Sequence, residues 1–467
     1  IESVSATCRH YGIKRADIYN YVKDNQCSKE EAIRYYIAVK NKIGTGPITF
    51  EGVKYVDVRE CCKKLGISYR WVCDRIIYKN AGVDETLFYY KTEKEKWQKM
   101  SEEPIYLEDG TVFKGIGFGA RGTAVGELVF NTSMTGYQKI LTDPSYKGQI
   151  ITMTYPLIGN YGVSDIDNES DGIHAFGLVI KDLCDMPSNS NSVMSLDQWL
   201  REQNVPGVFG VDTRQITKKI RKFGTVKCLI STEDISIAEA KELCSKGELR
   251  GDWMKEVSTK EKYVLEPTAV TEEKPYEVAV LDFGVKTNIL RCLQSRNCRL
   301  TVYPYGTPAA EILQENPDGI FLTNGPGDPE EAKEAIEEVH NLIRTSEVPM
   351  FGICMGHQIL ALALGGKTYK LKYGHRGGNH GVYDKETKRS YITSQNHGYA
   401  VQHESIILKG MEVTHLNLND GTVEGMEHRD LPIFSVQFHP EASPGPDDNA
   451  YLFDKFINRM KGDRENA

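Results

Sequence analysis

The chain has 467 residues, 40% hydrophobic and 26% charged, with a formal net charge of −8. That length exceeds what one hydrophobic core usually serves, so roughly two to four domains are expected. No apolar run approaches the roughly 20 residues a bilayer-spanning helix needs, so no membrane span is expected.

The opening Ile1-Glu-Ser-Val-Ser5 has no signal-peptide pattern, and no Met leads it, as in a fragment or a processed product. The 11 cysteines form no paired framework and no C-x-x-C, which fits a reducing cytoplasm. Charge is uneven. Residues 1–100 hold 19 Lys and Arg against 13 Asp and Glu, a net of +6, so the remainder carries −14. The split marks the first hundred residues as a separate unit.

Residues 1–100 contain an internal repeat at an offset of 54. Cys8-Arg-His-Tyr-Gly-Ile13 aligns with Cys62-Lys-Lys-Leu-Gly-Ile67, and Tyr35-Tyr36 with Tyr89-Tyr90. Each copy reads as a helix, a Gly turn, a second helix, and a third helical run ending in the Tyr pair. The segment resembles a helix-turn-helix array, with Lys14, Arg15, Arg70 and Arg75 on the second helices and Trp71 among them. It is the one part of the chain where nucleic-acid binding is expected to be possible; a repeat that binds protein or only packs is the alternative. Residues 40–47 read as a linker, and 91–100 as a charged helix or linker.

Residues 101–260 read as an α+β domain. A hairpin with an Asp-Gly turn is expected over 105–113, strands over 126–130, 148–154 and 175–180, and helices over 195–203 and 213–223. Four long, non-periodic strings stand out: Phe130-Asn-Thr-Ser-Met-Thr-Gly-Tyr-Gln138, Leu141-Thr-Asp-Pro-Ser-Tyr146, Tyr155-Pro-Leu-Ile-Gly-Asn160 and Pro206-Gly-Val-Phe-Gly-Val-Asp-Thr-Arg214. They resemble the amino-terminal domain of the carbamoyl-phosphate synthetase small subunit. A polar stretch over 255–276 follows, with the linker proper at 261–276.

Residues 277–461 alternate strand and helix: strand 277–283, helix 286–295, strand 299–303, helix 308–315, strand 319–323, helix 330–344, strand 348–353 and helix 359–364. This alternation predicts a doubly wound α/β sheet with its ligand at the carboxyl ends of the strands. One such end carries Val348-Pro-Met-Phe-Gly-Ile-Cys-Met-Gly-His-Gln358. Strand, Gly-x-Cys-x-Gly and helix have the shape of a nucleophile elbow. Cys354 would sit at a helix N-terminus, where the dipole favours a thiolate and backbone amides can stabilise an oxyanion. A lone Cys on a strand is more often a structural thiol, and the paired glycines and the later strings are what turn the reading.

Three further strings belong with it. Thr323-Asn-Gly-Pro-Gly-Asp-Pro329 exposes backbone amides at Gly325 and Gly327, or is a plain strand-end turn. Ser394-Gln-Asn-His-Gly-Tyr399 reads as a polar loop. In Ser435-Val-Gln-Phe-His-Pro-Glu-Ala-Ser443, His439 and Glu441 are two apart and project to one side of an extended chain, so the carboxylate can orient the imidazole. Cys354, His439 and Glu441 then follow the logic of nucleophile, base and orienter. His375 and His380 suggest a metal, but no Cys or carboxylate stands at ligand spacing, so no metal site is expected.

Together these strings are similar to the class I glutamine amidotransferase domain over 277–461, and the small-subunit resemblance covers about 101–461. It implies a glutaminase in which Cys354 forms a glutamyl thioester, His439 moves the protons and Glu441 orients it. It also implies that Ser145, Gly325, Gly327, Met355, Gln358, Asn396, Gly398 and Tyr399 hold L-glutamine. Met355 departs from the usual Leu, a volume-conserving change. Relatives that have lost glutaminase activity lack the cysteine, so this chain is expected to be active. The ammonia would pass to a large synthetase subunit that uses bicarbonate, ATP and Mg to make carbamoyl phosphate for arginine and pyrimidine synthesis. No cofactor is expected on this chain. The alternatives are another class I amidotransferase, of the anthranilate or GMP type, and a regulatory or DNA-binding protein with an inert amidotransferase part. The strings between 130 and 146 argue against the former.

Overall fold

The computed structural model describes residues 28–43, 46–67, 69, 72–73, 76, 82–98, 102–233, 235–249 and 251–466. The chain forms two compact units, Ile1–Ser101 and Glu102–Ala467.

In the first unit, helices run over Lys29–Ile43, Val58–Leu65 and Val83–Gln98. Asp57 caps the second by accepting from the Glu60 N–H, and Gly66 ends it at φ 64, a conformation glycine adopts without strain. Of the expected linker over 40–47, residues 40–43 belong to the first helix, and a hairpin of Ile48–Phe50 with Val53–Tyr55 begins directly after its last residue. Glu51 and Gly52 turn it with φ of 48° and 78°, the paired positive angles of a tight hairpin turn. Strands of three residues are too short to leave a period in the sequence. The rings of Tyr35–Tyr36 lie 5.5 Å apart at 87°, and those of Tyr89–Tyr90 lie 5.3 Å apart at 80°, each pair inside a helix. The first two helices expected of the first copy, with Lys14 and Arg15, and Arg70, Trp71 and Arg75 of the second, fall outside the described residues.

The second unit begins with a closed seven-stranded barrel. Its order is Pro206–Phe209, Val112–Gly119, Glu102–Leu107, Val226–Ser231, Thr123–Asn131, Gln149–Met153 and Gly177–Val179. Closure removes sheet edges. Helix Thr213–Phe223 contributes Ile216 and Ile220 to the core with Leu128, Ile150 and Val208.

A ten-stranded sheet follows. Its parallel centre runs Cys298–Tyr303, Tyr276–Leu281, Gly319–Leu322, Met350–Ile353, Ile433–Val436. The strand order reverses beside Tyr276–Leu281, which places a switch point, where doubly wound folds bind ligands, at its carboxyl end. Helices Ala309–Gln314, Lys333–Thr345 and Met355–Ala363 cover one face, and Thr287–Gln294 and Tyr451–Asn466 the other. Antiparallel strands extend both sides. One is Tyr263–Leu265, which pairs with Cys298–Tyr303, so the expected linker over 261–276 supplies an edge strand. The expected helix over 330–344 begins as a 3-10 turn, Pro329–Glu331, and restarts as Lys333–Thr345.

Aromatic rings fill the core beneath the elbow strand. Phe351 stacks on Phe434 at 4.4 Å and meets Phe321 edge-on at 5.2 Å. It is completely buried, so Phe351→Ala is expected to cost about 3–5 kcal/mol, read as a loss of unfolding free energy in urea.

Candidate active site

Cys354 joins strand Met350–Ile353 to helix Met355–Ala363. It is held at φ 54 and ψ −101, strained for a residue with a side chain. The glycines on either side permit the turn. A Cβ on Gly356 would stand 2.3 Å from the Leu322 carbonyl, and one on Gly352 would stand 2.8 Å from the Gly356 backbone. The Cys354 N–H is tied to the Val436 carbonyl at 2.9 Å, locking the elbow to the next strand. The thiol reaches the Asn396 carbonyl at 3.6 Å.

His439 follows strand Ile433–Val436 and is buried. Its Nδ1 is 2.7 Å from Glu441 Oε1. Nε2 has no hydrogen-bond partner among the described residues, and Cys354 acts on the ring electrostatically. Behind the pair stands Lys286, which sequence reasoning read only as the start of a helix. Its Nζ lies 2.9 Å from Glu441 Oε1 and 2.7 Å from the Ala442 carbonyl, with the side chain 3% exposed. The available signal was its position, a lysine at the carboxyl end of the strand beside the switch point. Asn288 adds a bond from Nδ2 to the Glu441 carbonyl at 2.7 Å.

These charges set one another. Burial alone would raise the Glu441 carboxyl, but Lys286 and His439 hold it down at about 2. Burial alone would lower the His439 imidazole; the Glu441 charge, opposed by Lys286 and aided by Cys354, holds it well above its ordinary range. Lys286 is likewise raised against its burial by Glu441, Glu169 and Asp143.

A cavity of about 300 Å³ opens in front of Cys354. Gly325 and Gly327 line it from the turn after strand Gly319–Leu322, and Met355 and Gln358 from helix Met355–Ala363. Asn396, Gly398 and Tyr399 line it from strand Arg389–Val401, and Ser145 lines it from the barrel domain. All eight residues that sequence reasoning tied to glutamine thus meet at one cavity with Cys354, while His439 and Glu441 sit behind the wall. Gln358 Nε2 bonds to the Tyr399 carbonyl at 3.0 Å and to Gln437 Oε1 at 2.9 Å. Asp143, also missed, ties the two domains together. It accepts from Asn396 Nδ2 at 2.9 Å and from the Ser145 N–H at 2.9 Å, and Asn324 Nδ2 reaches Ser145 Oγ at 2.9 Å.

The expected loop at 394–399 is a strand. It pairs with Thr368–Asp384 and is mostly buried. Its polar side chains bond to other buried polar groups, so polarity misreported exposure. The same pairing corrects the metal reasoning. No carboxylate is near His375 in sequence, but the fold brings Glu424 to it and to His397, with one ligand atom from each within 4.8 Å. His380 is not of that set. The atoms already have partners: His375 lies 2.9 Å from Asp420 and 3.5 Å from Glu424, and His397 lies 2.7 Å from the Tyr399 carbonyl and 2.8 Å from Gln395.

Residues 105–230 match the family described as "Carbamoyl-phosphate synthase small chain, CPSase domain", and residues 279–459 match "Glutamine amidotransferase class-I". A carbamoyl phosphate synthase small chain of Clostridium acetobutylicum is 58% identical over 354 residues, 76% of this chain and 99% of that protein. The chain belongs to the carbamoyl-phosphate synthase small-chain family. The small chain of Bacillus caldolyticus is 50% identical over 353 residues, 76% of this chain and 95% of its own length. That of Syntrophotalea carbinolica is 50% identical over 372 residues, 77% of this chain and 98% of its own. Membership makes this an enzyme chain of the glutamine amidotransferase class. No helix among the described residues is long and apolar enough to cross a membrane.

Lys286→Met leaves the Glu441 charge buried with one partner fewer, so a loss of about 3–5 kcal/mol is expected in urea unfolding. Pairing it with Glu441→Gln should recover part of that loss. The Glu441 pKa is depressed from 4.5 to about 2, so its contribution is fully present above pH 4.5 and is lost as pH falls toward 2. The stability gap between wild type and Lys286→Met should therefore be flat from pH 4.5 through neutrality and shrink on acidification.

Proposed function

We propose that this small chain hydrolyses L-glutamine through a Cys354 thioester and hands the ammonia to a large synthetase subunit. One observation carries the reading: a nucleophile elbow backed by a His–Glu pair opens on a cavity lined by all eight implied glutamine-binding residues.

The Cys354 thiolate attacks the carboxamide carbon of glutamine. The negative charge moves to the carboxamide oxygen, within reach of the Gly325 and Met355 amides; Met355 is the first residue of its helix, so its N–H has no acceptor inside the helix. Imidazolium His439 gives a proton to the departing nitrogen, the C–N bond breaks, and ammonia and a glutamyl thioester remain. Neutral His439 then takes a proton from water, which attacks the thioester and releases glutamate and the thiolate. Glu441 fixes the ring and stabilises its cationic form, and Lys286 keeps Glu441 ionised. Ser145, Gln358, Asn396 and Tyr399 position the substrate, and Gly325, Gly327 and Gly398 leave room for it.

This chain supplies no ATP site in the proposal. Bicarbonate, ATP and Mg belong to the partner, so the ammonia crosses an interface between chains. The assembly works in the cytoplasm, and its product serves arginine and pyrimidine synthesis.

Cys354→Ser should lower glutamine hydrolysis by about 10³-fold or more, with or without the large subunit. Carbamoyl phosphate synthesis from added ammonium chloride by the same complex should stay at the wild-type level. Absence of wild-type glutaminase activity under both conditions would sink the reading.

A further inference from the structure

Three cationic side chains line the glutamine cavity: Lys147, Lys370 and Arg376. Two are already paired. Lys147 lies 3.3 Å from Glu256, and Lys370 lies 2.7 Å from Glu127. Arg376 makes no ion pair with a carboxylate among the described residues, although its side chain sits in a residue only 4% exposed. Its Nη1 donates to the Tyr373 carbonyl at 2.9 Å, and its Nε has no hydrogen-bond partner among the described residues. Burial works against its charge, and the nearest groups able to offset this are Glu127, Tyr146 and Cys354. Of these, Glu127 is already bound to Lys370 and to Thr225 Oγ1.

The seat of the guanidinium is shaped by glycine. Gly374 has φ 71, and a Cβ there would stand 2.3 Å from Nη1. On the facing strand, a Cβ on Gly398 would stand 3.5 Å from Nη2, on the cavity side. Arg376 pairs directly across from Asn396, whose carbonyl receives the Cys354 thiol. The residue therefore stands on the strand pair that carries the thiol's acceptor, with its Nε unspent.

A buried guanidinium with unspent donors is costly unless an anion completes it. Glutamine brings one anion, its α-carboxylate. The eight residues implied to hold glutamine are all neutral side chains or glycines, so none offers that carboxylate a countercharge. Arginine's planar fork matches a carboxylate with two parallel bonds. We propose that Arg376 is the residue that recognises the α-carboxylate of glutamine in this cavity. The assignment rests on the glutamine-hydrolysing reading and deepens it. It also sets specificity: free glutamine is accepted, and a glutamine whose carboxyl is blocked in an amide or peptide bond is discriminated against.

The test compares wild type, Arg376→Met and Arg376→Lys on glutamine and on glutamine α-amide, in which the α-carboxylate is a carboxamide. Arg376→Met should raise KM for glutamine roughly 10- to 100-fold, the worth of a charge-assisted hydrogen bond, and change kcat by less than about threefold. Its KM for the α-amide should equal that of wild type, and Arg376→Lys should fall between. An equal rise for both substrates, or an unchanged KM for glutamine, would overturn the assignment alone. Wild type failing to hydrolyse glutamine would overturn the enzyme reading and the assignment together. If turnover is lost in the variant, protection of Cys354 from iodoacetamide still decides. Glutamine should no longer protect Arg376→Met where the α-amide protects it as in wild type; loss of both protections would refute the idea.

Discussion

One carboxylate oxygen, Glu441 Oε1, is shared by the Lys286 ammonium at 2.9 Å and the His439 imidazole at 2.7 Å. All three groups are buried, so none can be left without the others at small cost. The chain enters this cluster from two distant places. Lys286 comes from the turn after the strand Tyr276–Leu281, and His439 and Glu441 come after Ile433–Val436, the far strand of the parallel centre. The charge cluster therefore clamps the carboxyl edge of the sheet, and the nucleophile follows Met350–Ile353, one of the two strands between. The orientation of His439, and hence what Cys354 faces, depends on a lysine that never touches the thiol.

The elbow adds a second constraint. A backbone at φ 54 with a side chain costs of order 1–3 kcal/mol, and persists only where surrounding structure over-determines it. Here the surroundings are rigid. Gly352 and Gly356 admit no side chain, the Cys354 N–H is fixed to Val436, and stacked Phe351 and Phe434 lie beneath. Strain, packing and charge act on one short segment, the one that carries Cys354.

The alternating pattern over 277–364 was legible because each parallel strand is an apolar run and each helix has its own period. The Cys354 elbow and the His439–Glu441 spacing were legible because local backbone geometry decides them. Lys286 was not, because its meaning lies 155 residues away, at Glu441. The strand through Ser394 to Tyr399 was misread as a loop because buried polar residues satisfied by one another look like exposed ones in a sequence. Glu424 escaped the metal reasoning for the same reason of distance: strand pairing, not spacing, brings it to His375. The hairpin at Ile48–Tyr55 was lost to its brevity. Arg376 was visible only as a polar letter between two histidines; its lack of a carboxylate partner is a fact of three dimensions.

Asp143 joins the two folds of the second unit at the level of single hydrogen bonds. Its carboxylate belongs to the barrel domain, yet it holds Asn396 of the sheet domain, while Ser145 beside it receives Asn324. The cavity is a seam rather than a pocket carved in one domain. Cutting the chain between barrel and sheet would leave an amidotransferase fold with its elbow intact and one wall missing, its asparagines solvated instead of aimed. The unit that can be inherited, duplicated or fused without loss of the site is thus the pair of folds, not the doubly wound domain by itself.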